Sequence, residues 1–523
     1  MVAQNIKFHL IIIYLLLAVC INTKGQNAYW VFFEDKCAVE FNPYLYFNDN
    51  AIQRRIKHDL PLYDTRDLPI CENYVNQIIP FLDSLGYATR WLNGVLVYCS
   101  EDHLNSITEL PFVKSVQSML IYKHGLAQFD TLIEKSFAEE LLRKQVERLG
   151  VKYFKREGLT GKDITIAVFD AGFPTVNTSV AFEHIRRRDG IVATYDFVKN
   201  KENVYAFNSH GTSVLSGIGG KKDGKRIGMA TGADFLLART ENAHREPFSE
   251  EQNWLKAVEW ADKNGADIIN SSLAYTYSRY FNWEMNGHES LVAKAANIAA
   301  SKGILVVSAA GNDGDKSWKY IGTPGDADSA LTVGGVDPNT DYHIDFSSYG
   351  PTSDKRMKPN VTAFGEVAVY GKSGLTISQG TSFAAPLVAG FAACVLENDS
   401  TLKVMDLYAE VEKSGHLYPY YDYAHGFGIP NAGYFLDTLQ ADTSPTFEFE
   451  KGRVMLSIKV PQDSSILEKS IIYYHVENTK GYLDRYYVVS VDGEYPIRLN
   501  LDEFKEGQLV RVHYKGYTGS YYF

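Results

Sequence analysis

Gly380-Thr381-Ser382-Phe383-Ala384-Ala385-Pro386, followed at once by the apolar run Leu387 to Leu396, is the stretch on which the reading of this chain turns. Glycine before Thr381-Ser382 lets the backbone come close to a ligand. The helix that follows aims its free N–H groups and positive dipole end back at Ser382. An ordinary Ser/Thr helix cap would account for Gly-Thr-Ser alone. It does not account for the whole string, in which Pro386 is tolerable only near a helix start. The string therefore reads as a strand-to-helix elbow that presents a serine nucleophile.

A serine hydroxyl attacks only when a base takes its proton, and that base needs a partner to fix its tautomer and balance its charge. His210 heads the helix-like stretch His210-Gly211-Thr212-Ser213-Val214. Asp170 ends the strand-like run Ile164 to Phe169 and is followed by Ala171-Gly172. Among thirteen histidines a single one is usually structural, so the weight lies on the motifs around His210. A third element, Ser308-Ala309-Ala310-Gly311-Asn312, comes directly after another strand-like run. In isolation it could be an asparagine in a left-handed turn.

These motifs, in the order Asp…His…Ser, resemble those of the subtilisin-like serine proteases, or subtilases. The resemblance covers about residues 145 to 440. It implies catalytic roles for Asp170, His210 and Ser382. It also implies that the Asn312 carboxamide and the Ser382 backbone N–H stabilise an oxyanion. Substrate-binding positions would be Ser272, Leu273 and Ala274 on one extended piece and Ala310 and Gly311 on another. The segment around Arg239-Thr240-Glu241 is a further candidate to pair with a peptide backbone. The partners implied are polypeptide substrates and the chain's own propeptide as an intramolecular inhibitor. No cofactor is expected. Subtilases often bind structural calcium, but no residues here match an oxygen-ligand loop. The sequence departs from the family pattern at Ala274 (usually Gly), Thr231 (usually Pro), Asn360 (usually Asp) and Phe364 (usually Pro). Ala274 would narrow the pocket before the scissile bond, while the others bear on loop geometry.

The fold class expected is α/β: a subtilisin-like parallel sheet with helices on both faces. A small α+β propeptide domain precedes it and a small antiparallel β domain follows. Continuous Val/Ile/Leu strands alternating with helices argue for the parallel sheet independently of the resemblance, and ligands bind beyond the strand C-termini of such sheets. The boundaries expected are residues 1–25 (signal peptide), 26–130 (propeptide-like), 131–440 (catalytic) and 441–523 (β-sandwich-like). In the second segment, Tyr74 to Leu85 reads as a helix and Trp91 to Tyr98 as a strand. The linker from about Lys123 to Asp130 is the expected site of self-cleavage.

The net charge of −11 over 523 residues disfavours nucleic-acid and anionic-membrane partners. Residues 8 to 21 form an apolar run behind Lys7, too short to span a bilayer comfortably and of signal-peptide proportions. An exported chain, secreted or periplasmic, with no transmembrane span in the mature protein is expected. Val19 is bulkier than the small residue that precedes a lipidated cysteine, which argues against a lipid anchor at Cys20. Two of Cys37, Cys71 and Cys99 could pair. Cys394, on an apolar helix, reads as a small buried hydrophobe. The function expected is a serine endopeptidase made as a zymogen and working through an acyl-enzyme. The alternatives are a catalytically silent binding protein of the same fold, or a processing protease with one partner substrate.

Overall fold

The computed structural model describes residues 27–119, 135–242, 249–276, 279–437, 445–460, 470–491 and 497–523. The expected signal peptide, Cys20 and the whole of the linker from about Lys123 to Asp130 lie outside these residues. In chain order the first elements are β1 (Ala28–Phe33), α1 (Asp49–Lys57), α2 (Glu72–Ile78), β2 (Ser84–Thr89), β3 (Gly94–Tyr98), α3 (Glu101–Thr108) and β4 (Val113–Met119). The chain divides into two compact units. The first holds residues up to Phe41 together with Asp64–Leu120; the second holds Asn42–Tyr63 together with Ile121–Phe523.

The first unit is a four-stranded antiparallel sheet in the order β2-β3-β1-β4. Tyr29, Val31, Phe33, Val95, Val97 and Ile107 form its core. The expected helix Tyr74 to Leu85 is shorter than the periodicity suggests. It stops at Ile78 because Pro80 sits in the following turn, and Ser84 and Leu85 already pair with Tyr98 and Val97 as strand β2. The strand expected from Trp91 begins at Gly94, after Asn93 turns the chain with φ of +52°. Cys37 and Cys71 form a disulfide, and Cys99 is a buried free thiol.

The second unit is organised on a seven-stranded sheet. Its elements in chain order are α4 (Lys135–Arg148), β5 (Thr165–Asp170), β6 (Ile191–Asp196), α5 (His210–Gly219), β7 (Asp234–Arg239), α6 (Ser249–Lys263), β8 (Ile268–Ser271), α7 (Leu291–Ser301), β9 (Leu305–Ala309), β10 (Ala330–Val336), β11 (Val361–Phe364), the hairpin β12 (Glu366–Gly371) and β13 (Gly374–Gln379), α8 (Thr381–Asn398) and α9 (Val404–Lys413). The sheet order is β11-β10-β9-β8-β5-β7-β6, and every pairing is parallel. All residues of β5, β8, β9, β10 and β11 are buried, as a sheet covered on both faces requires. Helix α8 has the length and composition of a membrane span, but 83% of its apolar window is buried inside the protein, so it is a core helix. Cys394 lies on it with its thiol against the Met229 carbonyl, and burial pushes the thiol far up, as expected of a non-nucleophile.

The C-terminal residues form two antiparallel sheets within the same unit. One is β14 (Glu448–Lys451), β15 (Met455–Lys459) and β18 (Ile497–Asn500); the other is built from β16 (Ser470–Glu477), β17 (Leu483–Val491), β19 (Leu509–Tyr514) and β20 (Tyr517–Tyr522). The His475 ring stacks on Tyr420, and its Nδ1 lies 2.5 Å from the Tyr421 carbonyl, joining the second sheet to the end of the catalytic region.

The asparagine at position 360 has a physical reason. Its Oδ1 accepts from Thr332 N at 2.7 Å and Lys358 Nζ at 3.0 Å, while its Nδ2 donates to Glu412 Oε1 at 2.8 Å and to Tyr408. An aspartate would set two carboxylates together without a donor between them. Burial and the neighbouring Arg356 push the wholly enclosed Lys358 ammonium down to about 7. In the unfolded chain a lysine keeps its proton to about 10.4, so between these values the unfolded state binds more protons. Stability from this residue therefore rises with pH across that window. Chemical denaturation midpoints at pH 7, 8.5 and 10 should climb for the native chain and climb less for Lys358→Met. Equal slopes would contradict a depressed lysine.

Candidate active site

The chemistry gathers at the C-terminal edge of the sheet. Asp170 is the last residue of β5 and is fully buried, with Ala171 N donating to its Oδ1 at 2.7 Å. Both of its carboxylate oxygens lie 2.9 Å from Nδ1 of His210. The imidazole is thereby held by one edge, as a base with a fixed tautomer must be. Its side chain is 18% exposed against 0% for the carboxylate, so the histidine alone of the pair reaches the cleft. The approach is possible because residue 211 is glycine: a Cβ there would lie 2.5 Å from the Gly172 carbonyl and 2.9 Å from Asp170 Cβ. Asn208 Oδ1 accepts from His210 N at 2.8 Å and fixes the start of α5.

Ser382 enters from the other side, in the first turn of α8. Gly380 before it has φ of +140°, a conformation closed to other residues, which folds strand β13 into the helix. Pro386 is tolerated one turn in, and its ring lies 3.6 Å from where a Cβ on Gly217 of α5 would stand, so the histidine helix and the serine helix face each other there. The His210 and Phe383 rings stand 5.0 Å apart. The Ser382 hydroxyl donates to the Ser272 carbonyl at 3.1 Å, and the Ser272 hydroxyl donates to the Ser382 carbonyl at 2.9 Å. Asn270 Nδ2 in turn donates to Ser272 Oγ at 3.0 Å.

Asn312 is the third residue after β9. Its Oδ1 accepts from Thr381 N at 2.9 Å and Thr381 Oγ1 at 3.0 Å. That fixes the amide, so Nδ2 is turned away from Thr381, and it lies 3.3 Å from where a Cβ on Gly380 would stand. The elbow thus carries a carboxamide donor beside the serine.

The five proposed substrate positions are brought to the same edge with different roles. Ser272 spends its side chain inward on the serine backbone. Leu273 is buried, and among the described residues the backbone amides of Leu273 and Ala274 make no hydrogen bond, leaving an open extended edge. The Ala274 Cβ stands 3.3 Å from where a Cβ on Gly311 would lie and 3.1 Å from one on Gly322, so its methyl group is close to both residues. Ala310 N is tied to the Val333 carbonyl at 3.0 Å, and Gly311 N donates to Thr381 Oγ1 at 3.1 Å. By contrast, Thr240 N donates to the Asp170 carbonyl and its own carbonyl accepts from Asn253, which turns that segment into the protein. Sequence reasoning named Ser272 only as a substrate position and Thr381 only as part of the Gly-Thr-Ser string; that Ser272 holds the Ser382 backbone and Thr381 holds the Asn312 amide depends on contacts between distant residues. Among the described residues no group of three or more His, Cys, Asp or Glu side chains is arranged to hold a metal ion.

Comparison with known proteins agrees in kind. Residues 161–428 match the subtilase family (peptidase S8), and residues 28–129 match the peptidase S8 propeptide domain of Bacteroidota. The chain is 28% identical over 334 residues to serine protease AprX of Bacillus subtilis (strain 168), covering 58% of this chain and 69% of that one. It is 29% identical over 248 residues to subtilisin DY of Bacillus licheniformis, covering 47% of this chain and 81% of that one. Among solved structures, the MycP3 protease from the type VII (ESX-3) secretion system aligns with a TM-score of 0.49 at 21% identity, over 61% of this chain and 94% of that one.

Replacing Asn312 tests what its amide does. Asn312→Asp keeps an acceptor for Thr381 but loses the donor, and both it and Asn312→Ala should lower kcat roughly a hundredfold to a thousandfold with little change in KM. An effect confined to KM would place Asn312 in ground-state binding instead.

Proposed function

The chain belongs to the subtilase family of serine endopeptidases and carries a family propeptide; on that premise we propose that Asp170, His210 and Ser382 are its catalytic triad and that it is exported as a zymogen. The observation that carries this is the pair of 2.9 Å contacts from the buried Asp170 carboxylate to Nδ1 of a histidine whose other edge reaches the cleft.

In the reaction, a turn about the Ser382 Cα–Cβ bond takes the hydroxyl from the Ser272 carbonyl to Nε2 of His210. The histidine accepts the proton as Oγ attacks the scissile carbonyl. Asp170 offsets the imidazolium charge without taking the proton. The negative oxygen of the tetrahedral intermediate sits between Asn312 Nδ2 and Ser382 N. His210 then protonates the leaving amine, leaving an acyl group on Ser382. Water, deprotonated by the same histidine, releases it. The open amides of Leu273 and Ala274 accept the substrate backbone as an added strand, which binds peptides with little side-chain selectivity. The Ala274 methyl, close to Gly311 and Gly322, favours small residues before the scissile bond.

Export is supported by the apolar run at residues 8 to 21 and by the propeptide, which keeps a protease silent during transit. Ser382→Ala and His210→Ala should each abolish most turnover, and the double variant should be no worse than either. A fluorophosphonate probe should label the native chain at Ser382 and leave both variants unlabelled. N-terminal sequencing should find native material beginning near residue 130 and Ser382→Ala still joined to its propeptide. More than about a tenth of native turnover in Ser382→Ala would overturn the mechanism; identical cutting of both chains would assign maturation to another protease.

A further inference from the structure

Residues 42–63 lie within the matched propeptide sequence yet belong to the catalytic unit. The segments on either side, by contrast, fold into the propeptide sheet. The neck of this insert is closed within the propeptide by the Cys37–Cys71 disulfide and by Lys36 Nζ, which donates to the carbonyls of Leu68, Arg66 and Arg90. From that neck the insert carries α1 to the turns where α6 runs into β8 and α7 runs into β9.

The contact there is charged, buried and satisfied. Arg54 donates from Nη2 to Asp262 Oδ1, from Nη1 to the Ala266 carbonyl, and from Nε to the Lys302 carbonyl at 3.1 Å. Arg55 Nη2 donates to Asp262 Oδ2 at 2.7 Å, and its guanidinium lies 3.8 Å over the Phe47 ring. The side chains of Arg54, Arg55 and Asp262 are 0%, 1% and 2% exposed. Two cations face Asp262, the Asp267 carboxylate also acts on Arg54, and carbonyls at the C-terminal ends of α6 and α7, where helix dipoles collect negative charge, add to the balance. At the rim, Asn48 caps α1 through Ala51 N, donates from its own N to the Lys263 carbonyl at 3.0 Å and from Nδ2 to the Asn264 carbonyl at 2.8 Å. Gly303 leaves room for His58, whose ring would lie 2.8 Å from a Cβ there. Lys403 and Asp59 close the outer edge at 3.0 Å.

These turns stand at the N-terminal ends of β8 and β9. Ser272 and Asn312 stand beyond the C-terminal ends of the same two strands. A hold at this place leaves the cleft untouched.

We propose that residues 42–63 are a distal anchor: they keep the propeptide on the catalytic unit independently of the active site, so that cutting the chain between residues 120 and 134 does not by itself free it. Activation then has two steps, the cut and the opening of the Arg54–Arg55–Asp262 clasp. This rests on the zymogen reading above.

The test separates the two ideas by making the cut from outside. A recognition site for an added site-specific protease is placed between residues 120 and 134 of the full Ser382→Ala chain, the chain is cut, and the pieces are followed by size exclusion and native mass spectrometry. With the clasp intact the pieces should co-elute, and excess peptide of the sequence 120–134, which competes for the cleft, should not part them. Arg54→Met with Arg55→Met should weaken their association roughly a hundredfold or more, since one partner of a buried ion pair is left alone. Circular dichroism checks that this variant folds. Should it not, Asn48→Ala at the rim carries the comparison, with an expected loss of about tenfold. Separation of the pieces with the clasp intact, release by the competing peptide, or undiminished association in the folded variant overturns the anchor. If the native chain never cuts itself, the zymogen reading fails while the engineered cut still decides the anchor.

Discussion

A carboxylate with no access to water has to be answered by fixed partners, and the arrangement of the catalytic unit follows from how Asp170 is answered. Isolated, it would favour its neutral form. Here it takes a backbone N–H from Ala171 and both its oxygens face one imidazole nitrogen. That arrangement needs α5 close against the end of β5, so residue 211 has no space for a side chain. It also needs α8 close against α5, and Pro386 of α8 does lie beside Gly217 of α5. The nucleophile's helix is consequently enclosed along most of its length, with Phe383 to Leu396 buried throughout.

The parts of the site that were legible in the sequence are those whose physics is local. A glycine at a forbidden φ, an aspartate ending an apolar strand, a histidine heading a helix and an asparagine after Ala-Ala-Gly each leave a short pattern. The parallel sheet was legible for the same reason, because strands buried on both faces carry continuous Val/Ile/Leu runs. What was not legible depends on contacts between distant residues. The Ser272 hydroxyl bonds to a carbonyl 110 residues away, and Arg54 to a carboxylate 208 residues away. In sequence, Ala51 to His58 reads only as a polar stretch, since an arginine buried on a distant aspartate looks like a solvated one. Strand β2 was hidden because the helical spacing of residues 74 to 85 runs past Pro80 without showing where the helix stops.

The departures at Asn360 and Ala274 have different consequences. Asn360 serves folding: it joins β10, Lys358, Tyr408 and Glu412 through four hydrogen bonds that an aspartate could not all make. Ala274 is the departure that bears on the proposed substrate edge, since its methyl group stands close to both Gly311 and Gly322. Constraints on the catalytic unit thus act at both ends of the sheet: the Asp170–His210 pair at the strand C-termini, the buried arginine clasp at the N-termini.

The central claim is that a histidine held by Asp170 is the base for Ser382. The dependence of kcat/KM on pH, measured on a neutral peptide amide, tests it most directly because it reads the protonation state of the free enzyme's base. The account predicts a single fall on acidification with a midpoint in the histidine range, about 6.5 before the effect of the neighbouring carboxylate. A profile flat from about pH 5 to 8 would contradict it.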